Sequence, residues 1–246
     1  MGTTKKWSLR AKIRAVWFGL VLCFMGWQWS TYQAKGVTSD LLDSNAVIQV
    51  TNNQDFIRFE HQELIEFEVF FYPGGMVDPK AYVPLCRNLA EAGYNVTIIK
   101  MPWRLSTKGY KKIKDLAELE HPAKKYILAG HSQGAKMAAQ FVFEHPDLMD
   151  GLILLGTSHP RDISLSDRFI PCLKLYAEKD GLASPAEVFE NEKKLPQGYQ
   201  LIMIKGGNHS QFGNMGRLLM DGKADINPAL QQDIMLREIL GFLRSI

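Results

Sequence analysis

From residue 45 onward, short apolar runs alternate with amphipathic stretches and turn clusters. Asn45–Thr51 and Phe56–Glu60 read as strands separated by the turn cluster Asn52-Asn53-Gln54-Asp55. Leu64–Tyr72 predicts a third strand, closed by Pro73-Gly74-Gly75. Val96–Ile99, Lys125–Ala129, Leu152–Leu155, Cys172–Ala177 and Gln200–Ile204 predict five more. Helical patterns lie between them: Pro79–Ala92, Gly109–Glu120, Gln133–Glu144, Pro185–Lys194 and Pro228–Leu243. The first has Pro near its start and Gly93 just past its end, the expected punctuation of a helix. Nearly all-apolar strands with helices between them are the pattern of a parallel sheet buried on both faces. The first three strands lack helical connections and are expected to be antiparallel at one edge. The fold class is therefore α/β, a three-layer structure around a mostly parallel sheet.

A different pattern precedes residue 45. Lys5, Lys6, Arg10, Lys12 and Arg14 are followed by an uncharged, mostly apolar run. From Ala15 to Tyr32 it has 18 residues, which as a helix span about 27 Å, enough for a bilayer core. Trp27, Trp29 and Tyr32 crowd its far end, where aromatic rings favour the headgroup layer. Ending a cleaved signal at Ala34 would put Tyr32 at the −3 position, where a small residue is needed. The expectation is an N-terminal apolar helix acting as an uncleaved signal anchor over 1–34, with a cleaved, secreted form as the alternative. A polar linker follows over 35–44, then one domain over 45–246. The cation excess would hold the N-terminus in the cytoplasm and place the domain outside.

Charge sharpens the division. The formal net charge is +3, and removing those five cations leaves −2 for residues 15–246. A faintly acidic domain has no basic footprint for a nucleic acid. Hydrophobic residues make up 46% and charged residues 22%, which excludes disorder and a multi-span membrane protein. The three cysteines are Cys23 in the apolar run, Cys86 and Cys172. The last two are expected to pack as small hydrophobes, with pairing as the alternative. No Cys-x-x-Cys or His-x-x-x-His pair is present, so no metal or other cofactor is expected.

The chemistry centres on Gly130-His131-Ser132-Gln133-Gly134, set between a predicted strand and a predicted helix. In that setting a G-x-S-x-G sequence is a turn too sharp for bulkier flanking residues, and it lifts the serine above the sheet edge. A serine needs a base, and the base an orienting acid. Asp180 follows the strand 172–177 and His209 follows the strand 200–204. Both fall at the C-terminal edge of the sheet, where open α/β sheets bind ligands. Ser132, Asp180 and His209 are thus the expected catalytic residues, with Asp162 as the substitute acid. The backbone N–H of Gln133 is one expected oxyanion donor. The second comes from the loop Tyr72–Pro79, with Met76 as first candidate and Gly75 as the other. His131 is expected to pack beside the nucleophile.

Four stretches resemble the α/β-hydrolase superfamily, and within it the α/β-hydrolase fold-5 family related to dienelactone hydrolases. They are Tyr72-Pro73-Gly74-Gly75 with Val77–Tyr82, Lys100-Met101-Pro102, the elbow Gly130–Gly134, and Gly206-Gly207-Asn208-His209-Ser210-Gln211-Phe212-Gly213. The resemblance covers about residues 45–245 and implies a serine hydrolase triad of Ser132, Asp180 and His209. It implies no particular substrate. Gly216–Gly222 departs from the family pattern by being more apolar. Only residues 156–171 separate the strand after the nucleophile helix from the next, too few for a lid domain. The site is expected to be open, bordered by Trp103-Arg104-Leu105 and Phe212–Met220. The expected function is a carboxylesterase-like serine hydrolase, membrane-anchored and extracytoplasmic, acting on a small-molecule acyl substrate. Acyl transfer, thioester or amide cleavage by the same triad, and a silent surface-anchored binding domain, are the alternatives. Nothing in the sequence indicates an oligomeric state.

Overall fold

The computed structural model describes residues 7–63, 65–117, 119 and 121–246. Eight strands form one sheet in the order β1-β2-β4-β3-β5-β6-β7-β8. They are β1 (Ile48–Asn52), β2 (Phe56–His61), β3 (Phe67–Tyr72), β4 (Asn95–Ile99), β5 (Lys125–His131), β6 (Gly151–Leu155), β7 (Cys172–Ala177) and β8 (Gln200–Ile204). The antiparallel start is confined to β1 and β2. The third strand lies inside the sheet, parallel to both β4 and β5. The reason is the crossover between β3 and β4, a helix long enough to return the chain to the same end of the sheet. The start of the expected third strand, Leu64, lies outside the described residues.

Helices cover both faces. Helices α2 (Val83–Glu91) and α7 (Pro228–Leu243) pack on one, where Leu85, Leu89, Met235 and Ile239 meet alternate residues of the central strands. Helix α5 (Gln133–Glu144) packs on the other through Met137, Phe141 and Val142. The fifth strand is buried from Tyr126 to His131 because both faces are covered. A short helix α6 (Pro185–Glu190) follows β7, opened by a Ser184–Glu187 capping box. The continuous helix expected over Gly109–Glu120 is instead two short pieces, α3 (Ser106–Gly109) and α4 (Ile113–Leu116), joined by a 3-10 turn. Gly109 seats against Pro102, where a Cβ would come within 2.4 Å of the ring, and the helix breaks there. Glu118 and Glu120 lie outside the described residues. Residues 156–171 carry neither helix nor strand, so no lid domain follows β6. Cys86 and Cys172 are buried and unpaired.

The N-terminal helix α1 (Leu9–Thr31) forms, with Ser8 as its cap. Its apolar side chains, among them Trp17, Phe18, Leu20 and Leu22, are exposed. The expected membrane crossing needs correction. No helix among the described residues is long and apolar enough to cross a membrane. Arg10, Lys12 and Arg14 fall within the first turns of α1, and Gln28, Ser30 and Thr31 end it. Lys5 and Lys6 lie outside the described residues. The expected linker 35–44 also differs. Tyr32, Ala34, Val37, Leu41 and Leu42 pack against the core on the α2 and α7 face, and the Arg87 guanidinium donates to the carbonyls of Leu41 and Asp43. Apolar residues at 37, 41 and 42 dock a segment whose polar neighbours suggested slack.

Candidate active site

The turn after β5 places Ser132 at φ 53°, ψ −117°, a strained left-handed backbone for a residue with a Cβ. Its N–H donates to the Leu155 carbonyl at 2.9 Å, which ties the turn to β6. The flanking glycines are demanded by space. A Cβ on Gly130 would lie 2.6 Å from the Gly134 carbonyl carbon, and one on Gly134 would lie 2.0 Å from the Tyr72 carbonyl oxygen. The expected sharp turn between β5 and α5 is therefore formed, with Ser132 at its apex and α5 beginning at Gln133. The Gln133 N–H, in the first turn, has no partner within the helix.

Asp180 and His209 meet as expected from their places after β7 and β8. The imidazole Nδ1 lies 2.9 Å from Asp180 Oδ2 and 3.1 Å from Oδ1, with both side chains buried. Asp180 Oδ1 also accepts the N–H groups of Leu182 and Ala183 at 2.8 and 2.7 Å. Two backbone donors and the imidazole leave the carboxylate one orientation. Asp162, the substitute acid, is exposed and pairs with Lys136 at 2.9 Å. Ser132 and His209 line one cavity of about 250 Å³.

The loop after β3 corrects one expectation. The Met76 N–H is donated to the Arg104 carbonyl at 2.7 Å, because Met76 sits at φ 65° and turns its amide toward residues 102–105. Gly75, the other candidate donor, abuts the Gln133 side chain, 3.1 Å from where its Cβ would be. Tyr82 fixes the same loop. Its hydroxyl accepts the Gly74 N–H at 3.0 Å and lies 2.8 Å from His131 Nδ1. The His131 ring is buried with its centroid 4.6 Å from that of His209. Burial, and then the neighbouring His209, push its pKa well below the usual histidine range, so it packs there neutral.

Asp221 was not legible as a site residue. It is buried, and its carboxylate binds both loops. Oδ1 accepts the N–H groups of His209 and Gly181, each at 3.2 Å. Oδ2 accepts the Ser210 N–H at 2.8 Å and the Ser210 hydroxyl at 2.6 Å. Its only sequence signal is Asp-Gly after the apolar Leu218-Leu219-Met220. Gly222 marks the same close approach, since a Cβ there would lie 2.0 Å from the Lys179 carbonyl oxygen.

The expected borders also shift. The cavity is walled by residues 157–159, Arg161 and 182–183, not by Trp103–Leu105 or Phe212–Met220. Phe212 is buried against His131, while Trp103 and Met220 are largely exposed. The end of α1 reaches the site loops. The Thr31 carbonyl accepts the Gly216 N–H, the Tyr32 carbonyl accepts the Asp78 N–H, and the Lys35 N–H donates to Asn214, all at 2.8–2.9 Å. Arg104 donates to Gln33 at 3.1 Å, lies over the Trp29 ring and pairs with Asp78.

The sequence profile of the alpha/beta hydrolase family matches residues 68–233. The chain belongs to this family. Solved structures of similar fold include a predicted CIB-like hydrolase from Thermoplasma acidophilum, 14% identical, covering 81% of this chain and 100% of its own with a TM-score of 0.59. Est1E from Butyrivibrio proteoclasticus is 13% identical over 81% of this chain and 100% of its own, with a TM-score of 0.54. The carboxylesterase CesB from Bacillus subtilis is 10% identical over 85% of this chain and 95% of its own, with a TM-score of 0.56. No curated protein matches the sequence. As an alpha/beta hydrolase, the chain carries the elbow and the His209–Asp180 pair where β5, β7 and β8 end. Among the described residues no group of His, Cys, Asp and Glu is arranged to hold a metal ion.

Proposed function

We propose that this alpha/beta hydrolase is a serine hydrolase that cleaves an ester or related acyl bond of a small molecule. The observation that carries this reading is the buried Asp180–His209 pair opening into the same cavity as Ser132 at its strained elbow. Ser132 attacks the acyl carbonyl while His209 Nε2 takes its proton. Asp180 holds the imidazole tautomer through Nδ1–H and stabilises the cation formed. The Gln133 and Gly75 amides receive the oxyanion, a role that passes to Gly75 because the Met76 amide is already bound. His209 then returns the proton to the leaving alcohol, and water releases the acyl group. A fluorophosphonate probe should label the native chain and leave Ser132→Ala unlabelled. Absence of labelling in the folded native chain would instead favour a catalytically silent binding domain.

The exposed apolar surface of α1, with Arg10, Lys12 and Arg14 at its start, supports association with an anionic lipid surface. The full chain is expected to sediment with phosphatidylglycerol vesicles, and a chain beginning at Gly26 to stay in the supernatant. Both should hydrolyse a soluble ester equally. A chain beginning at Gly36 loses the bonds from Thr31, Tyr32 and Lys35 to the two site loops and should lose at least about tenfold in kcat/KM, since small misplacement of catalytic groups is costly. Full activity from Gly36 would show that these contacts do not position the loops.

A further inference from the structure

The cavity at Ser132 has an unusual lining for a site that takes an acyl ester. Such pockets are mostly apolar with a few placed polar groups. Among the described residues Leu182 and Ala183 are the only apolar side chains of any size there, and the other walls are Thr157, Ser158, His159, Lys136 and Arg161. Among the described residues the lining holds two formal cations and no carboxylate. Lys136 stands one turn along α5 from the nucleophile, its N–H donated to the Ser132 carbonyl at 3.0 Å. Arg161 comes from the segment after β6, on the same side as His159. Their acidic partners lie outside the lining. Asp162 pairs with Lys136 at 2.9 Å but is 62% exposed, and Glu187 pairs with Arg161 at 3.6 Å and is 39% exposed. Exposed pairs of this kind are weak and readily exchanged for a better anion.

At His159 the two cations outweigh Asp162. The His159 pKa is pushed down to about 4, first by burial and then by Lys136 and Arg161, with Lys174 adding to them and Asp162 opposing. Lys174 is a buried cation of β7 whose ammonium donates to the His159 carbonyl at 2.9 Å. At neutral pH His159 is therefore uncharged, and the anion-attracting groups are Lys136 and Arg161.

We propose that this cavity is a subsite for a carboxylate carried by the ester substrate, with Lys136 and Arg161 as its specificity determinants. The proposal rests on the serine hydrolase reading and names its substrate class: esters in which the acyl or the alcohol portion bears a carboxylate. Water-exposed guanidinium and ammonium groups select such a substrate by charge and hydrogen bonding. An uncharged ester of equal length gains neither.

The test compares kcat/KM for matched pairs. On the acyl side, p-nitrophenyl hydrogen adipate is set against p-nitrophenyl hexanoate. On the alcohol side, 4-(butanoyloxy)benzoate is set against its methyl ester. Background from the Ser132→Ala protein is subtracted. The charged member should be favoured at least about tenfold in one pair at low ionic strength. That ratio should shrink as salt rises to 0.5 M, because exposed charges are screened, and approach one in the double variant Lys136→Gln, Arg161→Gln. Fluorophosphonate labelling of each protein reports that its site is intact. Labelled native enzyme with a ratio below three in both pairs overturns the subsite and leaves the hydrolase reading standing. A ratio that survives the double variant overturns it as well. A native chain that does not label removes both readings together.

Discussion

Asp180→Asn is expected to lower kcat about 10⁴-fold, the loss that the same change causes in serine proteases, while the chain still folds. The geometry explains both halves. An asparagine carbonyl oxygen can replace Oδ1 as acceptor for the Leu182 and Ala183 amides, so the loop keeps its shape. The side-chain NH2 then faces His209 Nδ1 and donates to it. The imidazole proton is forced onto Nε2, the nitrogen that has to take the serine proton. The base is present, in place and in the wrong tautomer. Circular dichroism of the variant should match the native chain, and its ester turnover should sit near the background of Ser132→Ala. A loss of less than tenfold would mean that another acid orients His209.

Asp221→Ala should be the second large effect, and it acts on both structure and rate. The native carboxylate satisfies three backbone N–H groups and one hydroxyl in a buried site. Each buried donor left without a partner costs about 1–3 kcal/mol. A combined destabilisation of more than about 3 kcal/mol is expected in urea unfolding. The same carboxylate oxygen joins the His209 and Gly181 amides, so the folded fraction should also lose at least about 10²-fold in kcat through misplacement of His209. Asp221→Asn keeps one acceptor oxygen and should fall between the two. Native-like stability in Asp221→Ala would deny it the role of joining the loops.

The elbow was legible because its residues are forced by space. Only glycine fits where a Cβ would touch the Tyr72 carbonyl or the turn of α5, and a strand and helix on either side are visible as periodicity. Asp180 and His209 were legible for a related reason: both follow apolar strands at the same sheet edge. Asp221 lacked any such mark, since nothing in its spacing shows that residues 181 and 222 cross at backbone distance. The place of β3 was missed because strand order depends on which crossovers pack, and a run of apolar residues is the same at an edge or in the centre. Met76 was misjudged because a glycine turn shows that an amide can rotate, not which carbonyl it meets. The docking of residues 35–44 was hidden by three apolar side chains scattered among polar ones.

That docking removes a degree of freedom. A slack connection of ten residues would let its two ends drift apart and together over about 17 Å. In this chain Tyr32 and Val37 pack half-buried against the core and Thr31 and Lys35 are bonded to the site loops. The joint between α1 and the sheet is stiff. Whatever body takes hold of α1 thereby sets the height and the heading of Ser132, so substrates must approach along a direction chosen by the N-terminal helix rather than by diffusion of the domain on a leash.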